Sequence, residues 1–293
     1  MGIDDSLPPL DFLAIGHICR DIVTGGYATG GAAAYTTSVA TMLGCRSGIV
    51  TSASPETEWA GDLSGIVVHR VDSQATTVFE NIYTPTGRIQ KIHSVAGKLS
   101  AAEVPELWSR TPLVFLGPIA NEVDPGLIGL FSNSVVGVGP QGWMRNWDDE
   151  GHVFRVMWES AAEVLPLTAV TFMSTEDLPD KSLIDAYTRL SRLLVLTDGS
   201  NGCKVYHHDE VRSFPAPVVR EVDTTGAGDI FAAAYLVRLY QTDGDYWEAA
   251  KFANRIAACS VSVKGLAPKM EAIRHLLDGD HYRASGTMSE VTG

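Results

Sequence analysis

Asp223-Thr224-Thr225-Gly226-Ala227-Gly228-Asp229, followed without a break by Ile230-Phe231-Ala232-Ala233-Ala234-Tyr235-Leu236, is a turn that becomes a helix. The second half is small and apolar and contains no helix breaker, whereas the glycine-rich first half cannot continue a strand. A tight loop feeding a helix N-terminus leaves backbone N–H groups without internal partners, at the positive end of the helix dipole. Gly226 and Gly228 carry no side chain to hold a ligand off. The amides of Gly226, Ala227, Gly228 and Asp229 are therefore expected to converge on an anion, such as a phosphoryl group in transit. Asp229 puts a carboxylate in the first turn, where the helix end favours its ionised form. A carboxylate beside an anion site is a poor arrangement unless it has a use, and accepting the proton of an attacking hydroxyl is such a use.

Around this segment, short apolar runs alternate with helical patterns. Phe12-Leu13-Ala14-Ile15 reads as a buried strand ending at Gly16, and Ala32 to Leu43 as a small-residue helix stopped by Gly44. Gly48 to Thr51, Leu113–Leu116, Val135–Val138, Ala169–Phe172 and Leu193–Thr197 read as further strands, each expected to lead into a helix. This order predicts an α/β fold over residues 1–280: a mostly parallel sheet covered by helices on both faces, with ligands bound beyond the carboxyl ends of its strands. The stretch from Ile66 to Ala96 breaks the rhythm. Val67–Arg70, Thr76–Tyr83 and Arg88–His93 are strand-like with no helix between them, and Thr84-Pro85-Thr86-Gly87 supplies a turn. A small antiparallel sheet is expected there, either a hairpin at the domain edge or a lid that excludes water from a pocket. Residues 281–293 are polar and lack periodicity, as a flexible tail would be.

Composition narrows the function. The chain has 293 residues, 45% of them hydrophobic, which suits one large α/β domain with a small appendage. Its formal net charge of −13 argues against nucleic acid as a partner, since neutralising a phosphate backbone needs a basic face. It does not argue against one nucleotide in a locally positive pocket. Cys19, Cys45, Cys203 and Cys259 form no C-x-x-C pair and read as free thiols in a reducing cytoplasm. Met1 to Leu10 lacks the features of a signal peptide, and no run approaches the ~18 apolar residues of a membrane span. The first strand is not followed by G-x-G-x-x-G, the mark of a dinucleotide-binding dehydrogenase.

The string Asp223 to Asp229 with its small-residue helix resembles the carboxyl-terminal signature of the PfkB (ribokinase-like) carbohydrate kinases. The resemblance implies ATP-dependent phosphorylation of a hydroxyl on a small sugar or polyol, with Asp229 as general base and Gly226, Ala227 and Gly228 lining an anion hole. Further matches imply substrate contacts at Asp21, which follows Gly16 at the end of the first strand, and at Gly30 and Gly31, where the substrate would approach the backbone. The inserted sheet takes the place of the family's lid. Leu196 to Gly202 is similar to the segment along the nucleotide, which implies contacts from Thr197, Gly199 and Gly202, with Thr225 joining them. Ser174-Thr175-Glu176-Asp177 stands where the family has N-x-x-E and serves Mg²⁺ through water; Asp177 or Glu176 takes that role. A monovalent cation such as K⁺ near Asp223 and Thr225 is also implied, and lid edges in the family form homodimer surfaces.

Tyr35 stands where many family members carry Asn, and this departs from ribokinase proper. Gly16-His17-x-Cys19-x-Asp21, Thr76 to Glu80, Gln141-Gly142-x-x-Arg145 and Asp198 to Cys203 look similar to the inositol kinase branch. Asp21, Gln141 and Arg145, with Glu80 from the inserted sheet, would supply donors and acceptors to a polyhydroxylated ring. No dense Lys/Arg pocket suggests a phosphorylated acceptor, so a neutral one is favoured. Kinases of a ribose-like sugar, a fructose phosphate or a nucleoside remain alternatives, as does a non-catalytic sugar-binding protein on the same fold.

Overall fold

The computed structural model describes residues 7–59, 61, 63–84 and 87–286. Its first part contains β1 (Phe12–Ile15), β2 (Cys19–Val23), β3 (Gly26–Gly30), α1 (Ala32–Met42), β4 (Ser47–Ala53), β5 (Val67–Asp72), β6 (Val78–Thr84) and β7 (Gly87–Ser94). The middle contains β8 (Leu113–Leu116), β9 (Val135–Val138), β10 (Arg145–Trp147), β11 (Val153–Arg155) and the short α2 (Ala161–Val164). Then follow β12 (Val170–Ser174), α3 (Leu183–Leu190), β13 (Leu193–Thr197), β14 (Cys203–His207), β15 (Glu210–Phe214), α4 (Ala227–Gln241), α5 (Tyr246–Ser260) and α6 (Leu266–Gly286).

A nine-stranded sheet runs in the order β15-β14-β13-β12-β9-β8-β1-β4-β5. Pairing is parallel from β13 to β5, and the β14–β15 hairpin adds an antiparallel edge. Strand alternation divides the core. Phe12 and Ala14 of β1 face α1, α4 and α5, while Leu13 and Ile15 pack on the other face with Trp108, Phe131 and Trp143. Helix α1 is buried nearly all round, from Ala32 to Ala40. Its polar residues are tolerated there because Thr36, Thr37 and Ser38 return their hydroxyls to the carbonyls of Ala32, Ala33 and Ala34, at 2.8, 2.6 and 2.7 Å.

Three expectations need correction. Val67–Asp72 does not join the small sheet; it is β5, parallel to β4 at the edge of the large one. Among the described residues no regular helix fills the crossover from β4 to β5, so the spacing looked antiparallel. The four-stranded small sheet, in the order β3-β2-β6-β7, instead recruits Cys19–Gly30, to which the sequence reading assigned no strand. Nor is every strand followed by an α-helix: 3₁₀ turns at Pro125–Phe131 and Pro140–Met144 follow β8 and β9, and β13 leads into β14. The 3₁₀ turns begin with Pro, which supplies no N–H to the first turn. Of the expected turn before β7, residues 85 and 86 lie outside the described residues. Helix α6 extends to Gly286, six residues into the stretch expected to be a tail, and residues 287–293 lie outside the description.

Candidate active site

Gly226, just before α4, has φ of +73°, in the left-handed region where glycine has no steric cost. A Cβ there would sit 2.5 Å from the ring of Tyr35, so the loop lies directly on the ring projecting from α1. This gives Tyr35 a role its hydroxyl did not suggest: its buried ring joins the two glycine-rich segments of the chain. The amide of Ala227 is already bonded to the carbonyl of Thr224 at 3.1 Å, which removes it from the expected anion hole. Among the described residues, no internal acceptor bonds the amides of Gly226, Gly228 or Asp229, and a Cβ at Gly228 would meet nothing within 4 Å. The loop therefore presents an open face with unspent donors.

Asp229 lies in the first turn of α4, half-buried, and its carboxyl is pushed up to about 7. Desolvation is the main cause; the positive charge of Arg145 pulls it down, and the negative charge of Asp177 adds to the rise. The expectation of an ionised group was thus incomplete, because burial and a like charge outweigh the helix end. Arg145 begins β10, and its Nη1 donates to the carbonyl of Ile119 at 3.4 Å. Asp177 accepts a 2.8 Å hydrogen bond from Nε2 of Gln141. Residues 141, 145, 177 and 229, distant in sequence, thus share one neighbourhood. No tie to this group is recorded for Glu176, whose amide bonds the hydroxyl of Ser174.

Asp21 belongs to the same crowd, since its charge, with those of Asp223 and Asp229, helps push the Tyr35 hydroxyl above its ordinary range, behind the larger effect of burial. The glycines at 30 and 31 make room for the chain itself before any ligand. A Cβ on Gly30 would lie 2.3 Å from the carboxylate of Asp21, and one on Gly31 would lie 2.3 Å from the carbonyl of His17. Glu80 does not join the cluster. In the parallel β2–β6 pair Phe79 is in register with Asp21 and Glu80 with Ile22, so Glu80 projects from the opposite face, where it pairs with His93 at 2.9 Å. Thr197, Gly199 and Gly202 lie at the β13–β14 turn, closed by the Asp198 N–H to the Gly202 carbonyl at 2.8 Å.

Three further residues matter that sequence reading did not single out. Glu122 is fully buried, and its carboxylate accepts N–H groups from His17, Ile119 and Ala120, at 2.7 to 3.0 Å, tying together the chain segments that follow β1 and β8. His17, also fully buried, bonds Thr77 Oγ1 at 2.7 Å and the Gly97 carbonyl at 2.8 Å. Lys269, in α6, has a fully buried side chain that reaches the carbonyls of Asp223 and Thr225. No motif marks Glu122 or Lys269, and His17 entered only as one letter of a longer string; the ties of His17 and Lys269, including the one from His17 to Glu122, span 44 to 105 positions. Two surface hollows, of about 450 and 350 Å³, flank the small sheet at His93–Asp148 and Arg20–Thr76; neither touches Asp229.

Residues 169–273, from the start of β12 into α6, match the profile of the pfkB family carbohydrate kinases. The fold is ribokinase-like, and the segment similar to the PfkB family makes up about a third of the chain. Fructokinase-2 of Oryza sativa subsp. japonica is 33% identical over 111 residues, 36% of this chain and 33% of that enzyme. The chain thus spans about a third of the length of the curated fructokinases it matches. Inositol 3-kinase of Arabidopsis thaliana is 24% identical over 252 residues, 80% of this chain and 69% of that one. A solved pyrophosphate-dependent kinase in the ribokinase family, complexed with a pyrophosphate analog and myo-inositol, has the same fold. It superposes with a TM-score of 0.76 and 20% identity over 89% of this chain and 99% of that one.

Proposed function

We propose that this PfkB chain transfers a phosphoryl group from Mg·ATP to a hydroxyl of a small neutral sugar or polyol. One observation carries the reading. Asp229, with a carboxyl tuned to about 7, stands in the first turn of a helix whose preceding loop keeps unspent amides. A base that titrates near neutrality accepts a hydroxyl proton in the transition state and releases it afterwards. The amides of Gly226 and Gly228 hold the phosphoryl oxygens, and the position of α4 fixes base and loop together. Asp21 and Arg145 orient the acceptor, Arg145 also restraining the basicity of Asp229. Thr197, Gly199, Gly202 and Thr225 flank the nucleotide.

Among the described residues, no three His, Cys, Asp or Glu side chains form a metal cage. That suits Mg²⁺ arriving on the donor phosphates and keeping much of its water, with Asp177, oriented by Gln141, as the carboxylate beside it. Bound there, the ion would neutralise charge on the phosphates. A cyclic polyol such as an inositol is the first acceptor to try, since the match to the Arabidopsis inositol 3-kinase runs over 80% of this chain. Pyrophosphate is the second reading for the donor, favoured by the fold neighbour that uses it. The test is a product-release screen of inositols, pentoses, hexoses and nucleosides, each with ATP and with pyrophosphate. Asp229→Asn is expected to lower turnover about 10³-fold on the preferred acceptor, with donor affinity nearly unchanged. Near-wild-type turnover in that variant would remove Asp229 from the mechanism.

A further inference from the structure

The segment leading into the anion loop is fastened from behind. The amides of Val222 and Asp223 donate to the carbonyl of Val261 at 2.8 and 3.1 Å, and the amide of Gly265 donates to Asp223 Oδ2 at 3.2 Å. Asp223 Oδ1 accepts the amide of Thr225 at 3.0 Å. This folding turns three oxygens toward one point: the carbonyls of Asp223 and Thr225 and the remaining reach of the Asp223 carboxylate. The Nζ of Lys269 occupies that point, 2.5 Å from the Asp223 carbonyl, 2.9 Å from the Thr225 carbonyl and 3.5 Å from Oδ2. The Lys269 side chain is 0% exposed.

Carbonyl oxygens gathered around one point, replacing a hydration shell, are also what holds a bare monovalent cation. The resemblance to the PfkB family places such a cation at Asp223 and Thr225, but the residues of this chain do not fit one, because an ammonium already fills the space and uses the oxygens. We infer that Lys269 is a built-in substitute for the monovalent cation: a positioning residue that fixes the Asp223–Thr225 turn and sets a permanent positive charge behind the anion loop. The inference rests on the kinase reading for its catalytic consequence, and on geometry alone for the exclusion of the ion. A buried ammonium is costly unless its donors are satisfied, and here three oxygens receive them. Burial pushes the Lys269 pKa down and Asp223 pulls it back. The Asp223 carboxyl is itself pushed up by burial, yet Thr225, Gly265 and Lys269 bring it below its ordinary value.

The test compares the full chain with Lys269→Ala, which opens the space, and Lys269→Met, which removes the charge but keeps the space filled. Each is assayed in potassium, sodium and choline chloride at constant ionic strength. Wild-type turnover should be the same in all three salts. Lys269→Ala should lose about 10²-fold in kcat in choline and recover much of it in potassium, while Lys269→Met should lose as much and recover nothing. Thermal melting gives a reading that needs no turnover: potassium should raise the Tm of Lys269→Ala alone. Activation or thermal stabilisation of the wild-type chain by potassium over choline would overturn the inference, as would a Lys269→Ala variant indifferent to potassium in both measurements. Failure to find any acceptor would count against the kinase reading while leaving the melting comparison decisive for the cation.

Discussion

The two sides of the site are built on different plans. The phosphoryl side is one contiguous segment, Asp223 to Asp229, whose groups are mostly main-chain amides and carbonyls held by a turn and a helix end. The facing side, proposed to hold the acceptor and the metal, is assembled from side chains on separate elements: Asp21 on β2, Gln141 in a 3₁₀ turn, Arg145 on β10 and Asp177 beyond β12. A main-chain site depends on few residue identities and on backbone shape, so it tolerates little change. A side-chain site can exchange one residue at a time. The first plan suits a chemistry that stays fixed, and the second suits an acceptor preference that varies. The comparisons divide the same way: the family profile matches residues 169–273, which contain the whole loop but only Asp177 of these four acceptor-side residues.

The contrast predicts unequal sensitivities. The largest effect is expected at Asp229, where the Asn variant loses turnover yet gains stability. The folded carboxyl titrates near 7 against 3.8 for the free group, so below pH 3.8 it adds no cost, and as pH rises through 7 the folded state carries an ionised group in a dry place. Asp229→Asn should therefore melt a few degrees higher than wild type at pH 8, with the advantage gone at pH 4. A lower Tm at pH 8 would contradict the desolvation account. Next come the two loop glycines, which separate folding from function. Gly226→Ala forces a Cβ into the Tyr35 ring in left-handed backbone and should cost about 2–4 kcal/mol in urea unfolding. Gly228→Ala meets nothing and should leave stability unchanged or better while lowering kcat. If both lose stability alike, the loop is not the open surface described here.

On the acceptor side the effects should be graded rather than absolute. The acid limb of kcat/KM is expected near pH 7, activity falling as Asp229 takes up its proton. Arg145→Gln should move that limb to higher pH and Asp177→Asn to lower pH, because their charges act on Asp229 with opposite sign. Unmoved pH profiles would show that Asp229 is not the titrating base. The smallest effect is expected at Glu80. Paired with His93 on the far face, it should tolerate Gln with less than about a twofold change in KM, since exposed pairs contribute little.

What could be read from sequence follows the same division. Alternating apolar runs revealed the parallel sheet because strands such as β1 and β13 are buried on both faces. The loop was legible because its glycines, its carboxylate and the helix it opens are contiguous, although its fastening to Tyr35 and Lys269 is not. β5 was misplaced because edge strands carry no signal of which sheet they join, and Glu80 was misassigned because the face of a strand depends on register with a partner. The tuning of Asp229 was hidden because it depends on burial and on Arg145 and Asp177, neither adjacent in sequence. Tyr35 was read only as a replacement for Asn, whereas its ring faces Gly226, nearly two hundred positions away.

His17 has a mechanical consequence. The Gly97 carbonyl only accepts, so His17 Nε2 donates to it, while Nδ1 lies 2.7 Å from the hydroxyl of Thr77. Thr77 precedes the β6–β7 hairpin and Gly97 follows it, so one imidazole pins both legs at their root. A flap clamped at its base in this way can swing but cannot slide, and its axle stands four residues from Asp21. Any rocking of the hairpin is thereby geared to β2, the strand that carries Asp21.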